Sequence, residues 1–194
     1  MSSQDKKPEK FKICILGDEK VGKTSLARRY VEDTFSEEVA PLNDAAFTKQ
    51  VQYNGMDILI GIFDPSGPES GTTATFYNDA HLLLAIYSFD AKDSLDNCKN
   101  WFSYGDRYLA ENSKVLVGNK CDIDDKQINV DDAVQFAKSL NAQHFEVSCK
   151  NNQNVKEVFD CCIKLFYERK QKENASKNKG KGNKEKKKGG CVLL

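Results

Sequence analysis

Histidine is scarce in this chain, with only His81 and His144 in 194 residues. Neither has a matching acid, nucleophile or metal partner, so both are expected to be solvated or packed rather than catalytic. The seven cysteines include no C-x-x-C pair, which argues against a disulfide framework and against a zinc site. Cys14, Cys98, Cys121, Cys149, Cys161 and Cys162 read as thiols of a reducing cytosol. No apolar run approaches the roughly 18 residues of a membrane span, and the polar N-terminus is not expected to be a signal peptide. Net charge is also lacking, with 29 basic residues against 29 acidic ones. The balance is uneven along the chain. Ten Lys or Arg face three Glu from Glu168 onward, which leaves 19 basic and 26 acidic residues before it. An acidic body with a basic end argues against a general nucleic-acid binder.

What the chain does have is Gly17-Asp18-Glu19-Lys20-Val21-Gly22-Lys23-Thr24. The apolar run 11–16 before it reads as a buried strand, and residues 25–30 after it read as a helix. Strand, glycine loop and helix in that order are the context in which G-x-x-x-x-G-K-S/T means phosphate binding. Gly17 and Gly22 let the backbone curl so that successive N–H groups point at an anion. The helix N-terminus adds about half a positive charge facing the same anion. Lys23 is expected to reach the β- and γ-phosphates, and the Thr24 hydroxyl to coordinate Mg²⁺. The candidate nucleotide contacts here are Gly17, Lys20, Val21, Gly22, Lys23, Thr24 and Ser25.

Residues 47–53 and 56–63 alternate apolar and polar as strands, and Asn54-Gly55 between them is a hairpin signal. Residues 82–89 form a continuous apolar run, the mark of a strand covered on both faces. Helices are expected at 95–109, 130–140 and 155–167, with strands at 114–117 and 144–147. Residues 32–44 and 64–75 read as irregular. The pattern predicts an α/β fold of the P-loop NTPase type: a six-stranded, mostly parallel sheet with one antiparallel strand and helices on both faces. Domain boundaries are read as a disordered N-terminus at 1–10, a folded domain at 11–169, and a flexible polybasic tail at 170–194.

Asn119-Lys120-Cys121-Asp122 follows the strand at 114–117. There the Asp122 carboxylate can accept hydrogen bonds from the N1–H and exocyclic amine of guanine, a pair that adenine does not present. Leaving such a group unpaired costs about 1–3 kcal/mol, more for a charge. Ser148-Cys149-Lys150 lies just after the next strand and can close the pocket with a backbone N–H to the guanine O6.

Taken together, the P-loop, the hairpin, Asp64-Pro65-Ser66-Gly67, Asn119-Lys120-Cys121-Asp122 and Ser148-Cys149-Lys150 resemble the motif set of Ras-superfamily small GTPases. Within that group the chain is most similar to Rab proteins, including at Ala45-Ala46-Phe47 and Asn100-Trp101-Phe102. The resemblance implies GTP/GDP and Mg²⁺ as cofactors, with Thr24 and Asp64 at the metal and a Gly67 N–H at the γ-phosphate. It implies Phe35 edge-on against the guanine, and effector proteins meeting Phe47, Phe63 and Phe76. It also implies an exchange factor, prenyl-handling proteins and a monomeric state.

Two departures bear on mechanism. Leu42 stands five residues before Phe47, where the family carries a threonine on Mg²⁺. Pro68 stands where the family's glutamine orients the attacking water. Proline has neither an amide side chain nor a backbone N–H. Of the catalytic set only Lys23 is left, so hydrolysis is expected to be weak. The alternatives are an active GTPase with rearranged switches, or a pseudo-GTPase interaction protein holding little nucleotide. Cys191-Val192-Leu193-Leu194 is a C-a-a-X end whose Leu favours a geranylgeranyl group on Cys191. Lys184, Lys186, Lys187 and Lys188 precede it. A regulator of vesicle traffic is implied, divided between cytosol and the cytoplasmic face of membranes, endosomal or vesicular ones among them.

Overall fold

The computed structural model describes residues 7–38, 46–64, 74–109 and 113–185. Leu42, Gly67, Pro68 and Cys191, each singled out above, lie outside them. The described chain runs β1 (Glu9–Leu16), α1 (Lys23–Glu32), β2 (Ala46–Tyr53), β3 (Met56–Phe63), α2 (Ala74–Tyr77), β4 (Leu82–Ser88) and α3 (Asp93–Gly105). It continues with β5 (Lys114–Asn119), α4 (Val130–Ser139), β6 (Gln143–Glu146) and α5 (Val155–Glu185). The six strands form one sheet in the order β2-β3-β1-β4-β5-β6. Only β2 and β3 pair antiparallel, around the Asn54-Gly55 turn. The expected α/β fold is the one observed.

The central strands β1, β4 and β5 divide their side chains between two apolar layers. In β4, Leu82, Leu84 and Ile86 join one layer, while Leu83, Ala85 and Tyr87 join the other. All seven β4 residues are buried, which is why this strand reads as an unbroken apolar run. The first layer lies under α1 and α5. There Tyr30 stacks on Phe159 at 3.8 Å and Phe11 on Phe166 at 4.4 Å, contacts worth about 0.5–1.5 kcal/mol each beyond the area they bury. The second layer lies under α3 and α4, with Cys98, Phe102, Ala133 and Ala137 buried in it.

Several element ends differ from the sequence reading by a few residues; α3, for one, ends at Gly105 instead of residue 109. β1 starts at Glu9 instead of residue 11, because its ladder to β3 begins with Glu9 opposite Ile58. A short helix, α2, occupies Ala74–Tyr77 and so begins inside the stretch 64–75 that reads as irregular. Helix α5 continues past residue 167 to Glu185. Lys170 fastens its extra turns to the body, pairing with Glu9 at 2.9 Å while lying over the Phe166 ring. Arg169 and Glu173 add an i,i+4 pair at 3.1 Å.

Both histidines are packed. His81 Nδ1 accepts the Lys12 backbone N–H at 3.1 Å, and its ring meets Phe11 and Phe166 edge-on. His144 stacks on Tyr87 and shares a 3.0 Å hydrogen bond with its hydroxyl. Burial, then the nearby Arg169 and Lys170, hold His81 below the ordinary histidine value, and burial does the same for His144. In the unfolded chain both would titrate near about pH 6.5. The unfolded state therefore binds more protons below that pH, so stability should fall as the solution is acidified through it. Protonation at Nδ1 would also remove the acceptor for Lys12. A melting temperature equal at about pH 5.5 and about pH 7.5 would contradict this.

Candidate functional site

Beyond the carboxyl ends of β1, β5 and β6 lies a cleft of about 680 Å³. Its walls include Lys20, Gly22, Lys23, Thr24 and Ser25 from the glycine loop, together with Asn119, Lys120 and Asp122. Phe35, Cys149 and Lys150 complete the opposite side. Three segments distant in sequence thus meet where a parallel sheet is expected to bind its ligand. Gly17 and Val21 are not among the residues facing this cleft; Gly17 instead packs against β4, where an added Cβ would lie 2.4 Å from the Ile86 carbonyl.

The glycine loop is shaped by what surrounds it. Gly22 has φ +99°, and a Cβ there would meet Asn119 Nδ2 at 2.2 Å, so both the backbone and the space require glycine. Helix α1 starts at the next residue and buries Leu26, Ala27 and Tyr30 as one stripe. That stripe fixes the helix with its N-terminus at the cleft. Lys23 Nζ bends back across the loop, donating to the carbonyls of Gly17 at 3.0 Å and Asp18 at 2.8 Å. Burial pulls the Lys23 ammonium below its ordinary value, and the charges of Asp64, Asp18 and Glu19 oppose that pull.

The donors for a cation sit beside it. Asp64 is 2% exposed at the end of β3, and its Oδ2 accepts the Thr24 hydroxyl in a short hydrogen bond. Its other oxygen, Oδ1, is buried with no partner. Burial raises the Asp64 carboxyl above its usual range, while the Thr24 hydrogen bond and the Lys23 charge restrain the rise. An orphaned carboxylate oxygen next to a hydroxyl is a hard-oxygen donor set that fits Mg²⁺. Among the described residues no group of three His, Cys, Asp or Glu could hold a metal. This suits an ion that takes most of its ligands from phosphate and water.

Asn119 ties the two halves of the cleft together. It is 2% exposed; its Nδ2 donates to the Val21 carbonyl at 2.9 Å, and its Oδ1 accepts the Cys149 N–H at 3.3 Å. The following turn is held by Cys121 N–H on the Val147 carbonyl at 3.0 Å, and it leaves Asp122 exposed at the cleft. Lys120, with φ +62°, pairs with Asp90 at 2.6 Å. Asp90 also accepts the Ser88 hydroxyl at 2.6 Å. Burial pushes the Asp90 carboxyl up, but the Lys120 and Ser88 hydrogen bonds outweigh it and hold the group below its usual value. Ser148 is buried and its hydroxyl accepts the Asn151 N–H at 3.0 Å, stiffening the turn that carries Cys149 and Lys150. Burial pushes the Cys149 thiol up to about 12, which keeps it neutral. Lys150 Nζ reaches Glu37 at 3.0 Å across the outer edge of the cleft.

Sequence reasoning missed Arg29. Its guanidinium donates to the carbonyls of Cys149 at 2.9 Å, Asp33 at 3.0 Å and Lys150 at 3.2 Å. It also lies 5.7 Å from the Phe35 ring centroid. A basic residue in the last turn of α1 was the available signal.

The three aromatics expected to form an effector surface do not share a face. Phe47 pairs with Ile62 across the hairpin, so the two side chains point the same way into the first core layer. It is 7% exposed. Phe63, one residue further along β3, points to the other side of the sheet. Only Phe63 and Phe76 come together, at 4.6 and 6.0 Å from the Lys12 ammonium.

Residues 12–168 match the family model described as Ras family. The match spans the sheet, the glycine loop, the Asn119 turn and the Cys149 turn. This chain belongs to the Ras family of small GTP-binding regulators.

Proposed function

We propose that this protein is a Rab-like, guanine-specific regulator of membrane traffic that hydrolyses GTP slowly. One observation carries the nucleotide site: Asn119 joins the phosphate loop to the Cys149 turn through one buried amide. Phosphates are held by the loop N–H groups and Lys23, and the base by Asp122, with Phe35 and Lys120 beside it. Thr24 and Asp64 would hold Mg²⁺, which would supply positive charge against the phosphates. The Rab-like reading rests on Ala45-Ala46-Phe47 and Asn100-Trp101-Phe102.

Slow hydrolysis is inferred from Leu42 and Pro68. Leucine brings no oxygen to the metal, and proline brings no amide to a water molecule. A single-turnover rate at least about tenfold below that of an ordinary small GTPase is expected, about 1.4 kcal/mol of barrier. Pro68→Gln with Leu42→Thr should raise the rate more than either change alone. A wild-type rate equal to that of ordinary family members would refute slow hydrolysis. The nucleotide site itself is tested by denaturing purified protein and chromatographing what it releases. Stoichiometric GDP or GTP is expected, and adenine nucleotide or none would overturn the assignment.

A further inference from the structure

Asp18 is the second residue of the glycine loop, where a carboxylate should repel the phosphates that the loop holds. Both of its oxygens are taken by α3. Oδ2 accepts Asn97 Nδ2 at 2.7 Å, and Oδ1 accepts the Trp101 indole N–H at 2.9 Å. Asn97 and Trp101 stand four residues apart on α3, so their donors lie side by side on one helix face. The backbone of Asp18 faces the other way, and its carbonyl accepts the Lys23 ammonium at 2.8 Å. Asp18 is also near enough for its charge to raise the proton affinity of Lys23.

We propose that Asn97 and Trp101 are positioning residues for nucleotide binding, which hold the Asp18 carboxylate away from Lys23 and the phosphates. The proposal rests on the phosphate-site reading above. Two neutral donors satisfy a carboxylate without adding charge to the loop, and as hydrogen bonds to an ion they are stronger than neutral ones. Freed from them, Asp18 can turn to Lys23, whose ammonium already lies on the Asp18 carbonyl and is the group expected to meet the phosphates. Losing either donor therefore costs phosphate affinity twice, through a loosened loop and through a neutralised lysine.

The test follows release of a fluorescent GDP analogue, excited directly, from the full-length protein with Mg²⁺. Trp101→Phe keeps the ring packing and removes the N–H; Asn97→Ala removes the other donor from a half-buried site. Each should speed release about five- to tenfold, less than the full worth of a hydrogen bond to a charged group because the nucleotide feels the lost bond only through the loop. Asp18→Ala removes the carboxylate itself, so adding Trp101→Phe or Asn97→Ala to it should change release by less than about twofold. Trp101 is the only tryptophan, and its emission should shift in Asp18→Ala because the indole loses its acceptor. Release within about twofold of wild type in both single variants would overturn the tether, as would full additivity with Asp18→Ala, which is the pattern of simple packing. Should Trp101→Phe fail to fold, the Asn97→Ala and Asp18→Ala cycle decides alone. A wild type that binds no GDP analogue would instead sink the phosphate-site reading, and the tether with it.

Discussion

Asp122→Asn should lose guanine nucleotide and gain xanthine nucleotide. Guanine offers two donors, N1–H and the exocyclic amine, and a carboxylate accepts from both. Asparagine has one acceptor oxygen and one donor amide, so its amide would oppose the guanine amine. Xanthine carries a carbonyl in place of that amine and accepts the asparagine N–H. Asp122 is held at the cleft by a turn whose own groups are occupied: Asn119 by Val21 and Cys149, and Cys121 by Val147. A change in its side chain therefore alters chemistry more than geometry. Hydrogen bonds to an ionised group contribute about 1.5–3 kcal/mol each. GTP affinity should fall at least about 100-fold, or about 2.7 kcal/mol, with XTP affinity rising in step. Competition of GTP, XTP and ATP against a fluorescent GDP analogue gives the measurement. GTP affinity unchanged in the variant, or ATP equal to GTP in the wild type, would show that Asp122 does not read the base.

Cys191→Ser should release the protein from membranes. Among the described residues no helix is long and apolar enough to cross a bilayer; the attachment we propose is a lipid on Cys191 with the basic charge that precedes it. A single acyl or prenyl chain binds reversibly, and stable anchoring takes a second signal. Lys184, Lys186, Lys187 and Lys188 can add about 1 kcal/mol each at an anionic leaflet. That attraction decays over a Debye length of about 8 Å, so salt should weaken it while the lipid contribution persists. Fractionation should find Cys191→Ser in the supernatant at any salt concentration. The four-lysine-to-glutamine variant should pellet less, and wild type should become salt-sensitive without detaching. A Cys191→Ser protein that stays firmly on membranes would rule out the anchor.

Much of the fold was legible because the pattern was local and redundant. β4 is apolar throughout, Asn54-Gly55 marks the hairpin, and Lys23 opens a helix with one buried stripe. The cleft residues were legible for the same reason, since motif spacing encodes a strand, a turn and the next element. Contacts between segments left weaker traces. Trp101 reads as a core residue from its place on an amphipathic helix, yet it also donates to a loop residue 83 positions earlier. The clue was on the loop side: a carboxylate in a phosphate loop needs donors, and the local ones, Lys20, Lys23 and Thr24, belong to the phosphate loop itself. Phe47 and Phe63 look equivalent as conspicuous aromatics, but strand register puts them on opposite faces. The far end of α5 was illegible because a Lys-, Asn- and Gly-rich stretch has little helix preference of its own. Its first extra turn is fixed by Lys170 on Glu9, a partner that no local pattern could reveal.

Arg29 gives α1 a second role. The helix opens with Lys23 and Thr24 of the glycine loop, and six residues later it grips the carbonyls of Cys149 and Lys150 through Arg29. At about 1.5 Å per residue that is a rod of about 9 Å, clamped by Tyr30 on Phe159. One rigid rod thus sets the spacing between the glycine loop and the Cys149 turn, so sliding the helix at one end displaces its grip at the other.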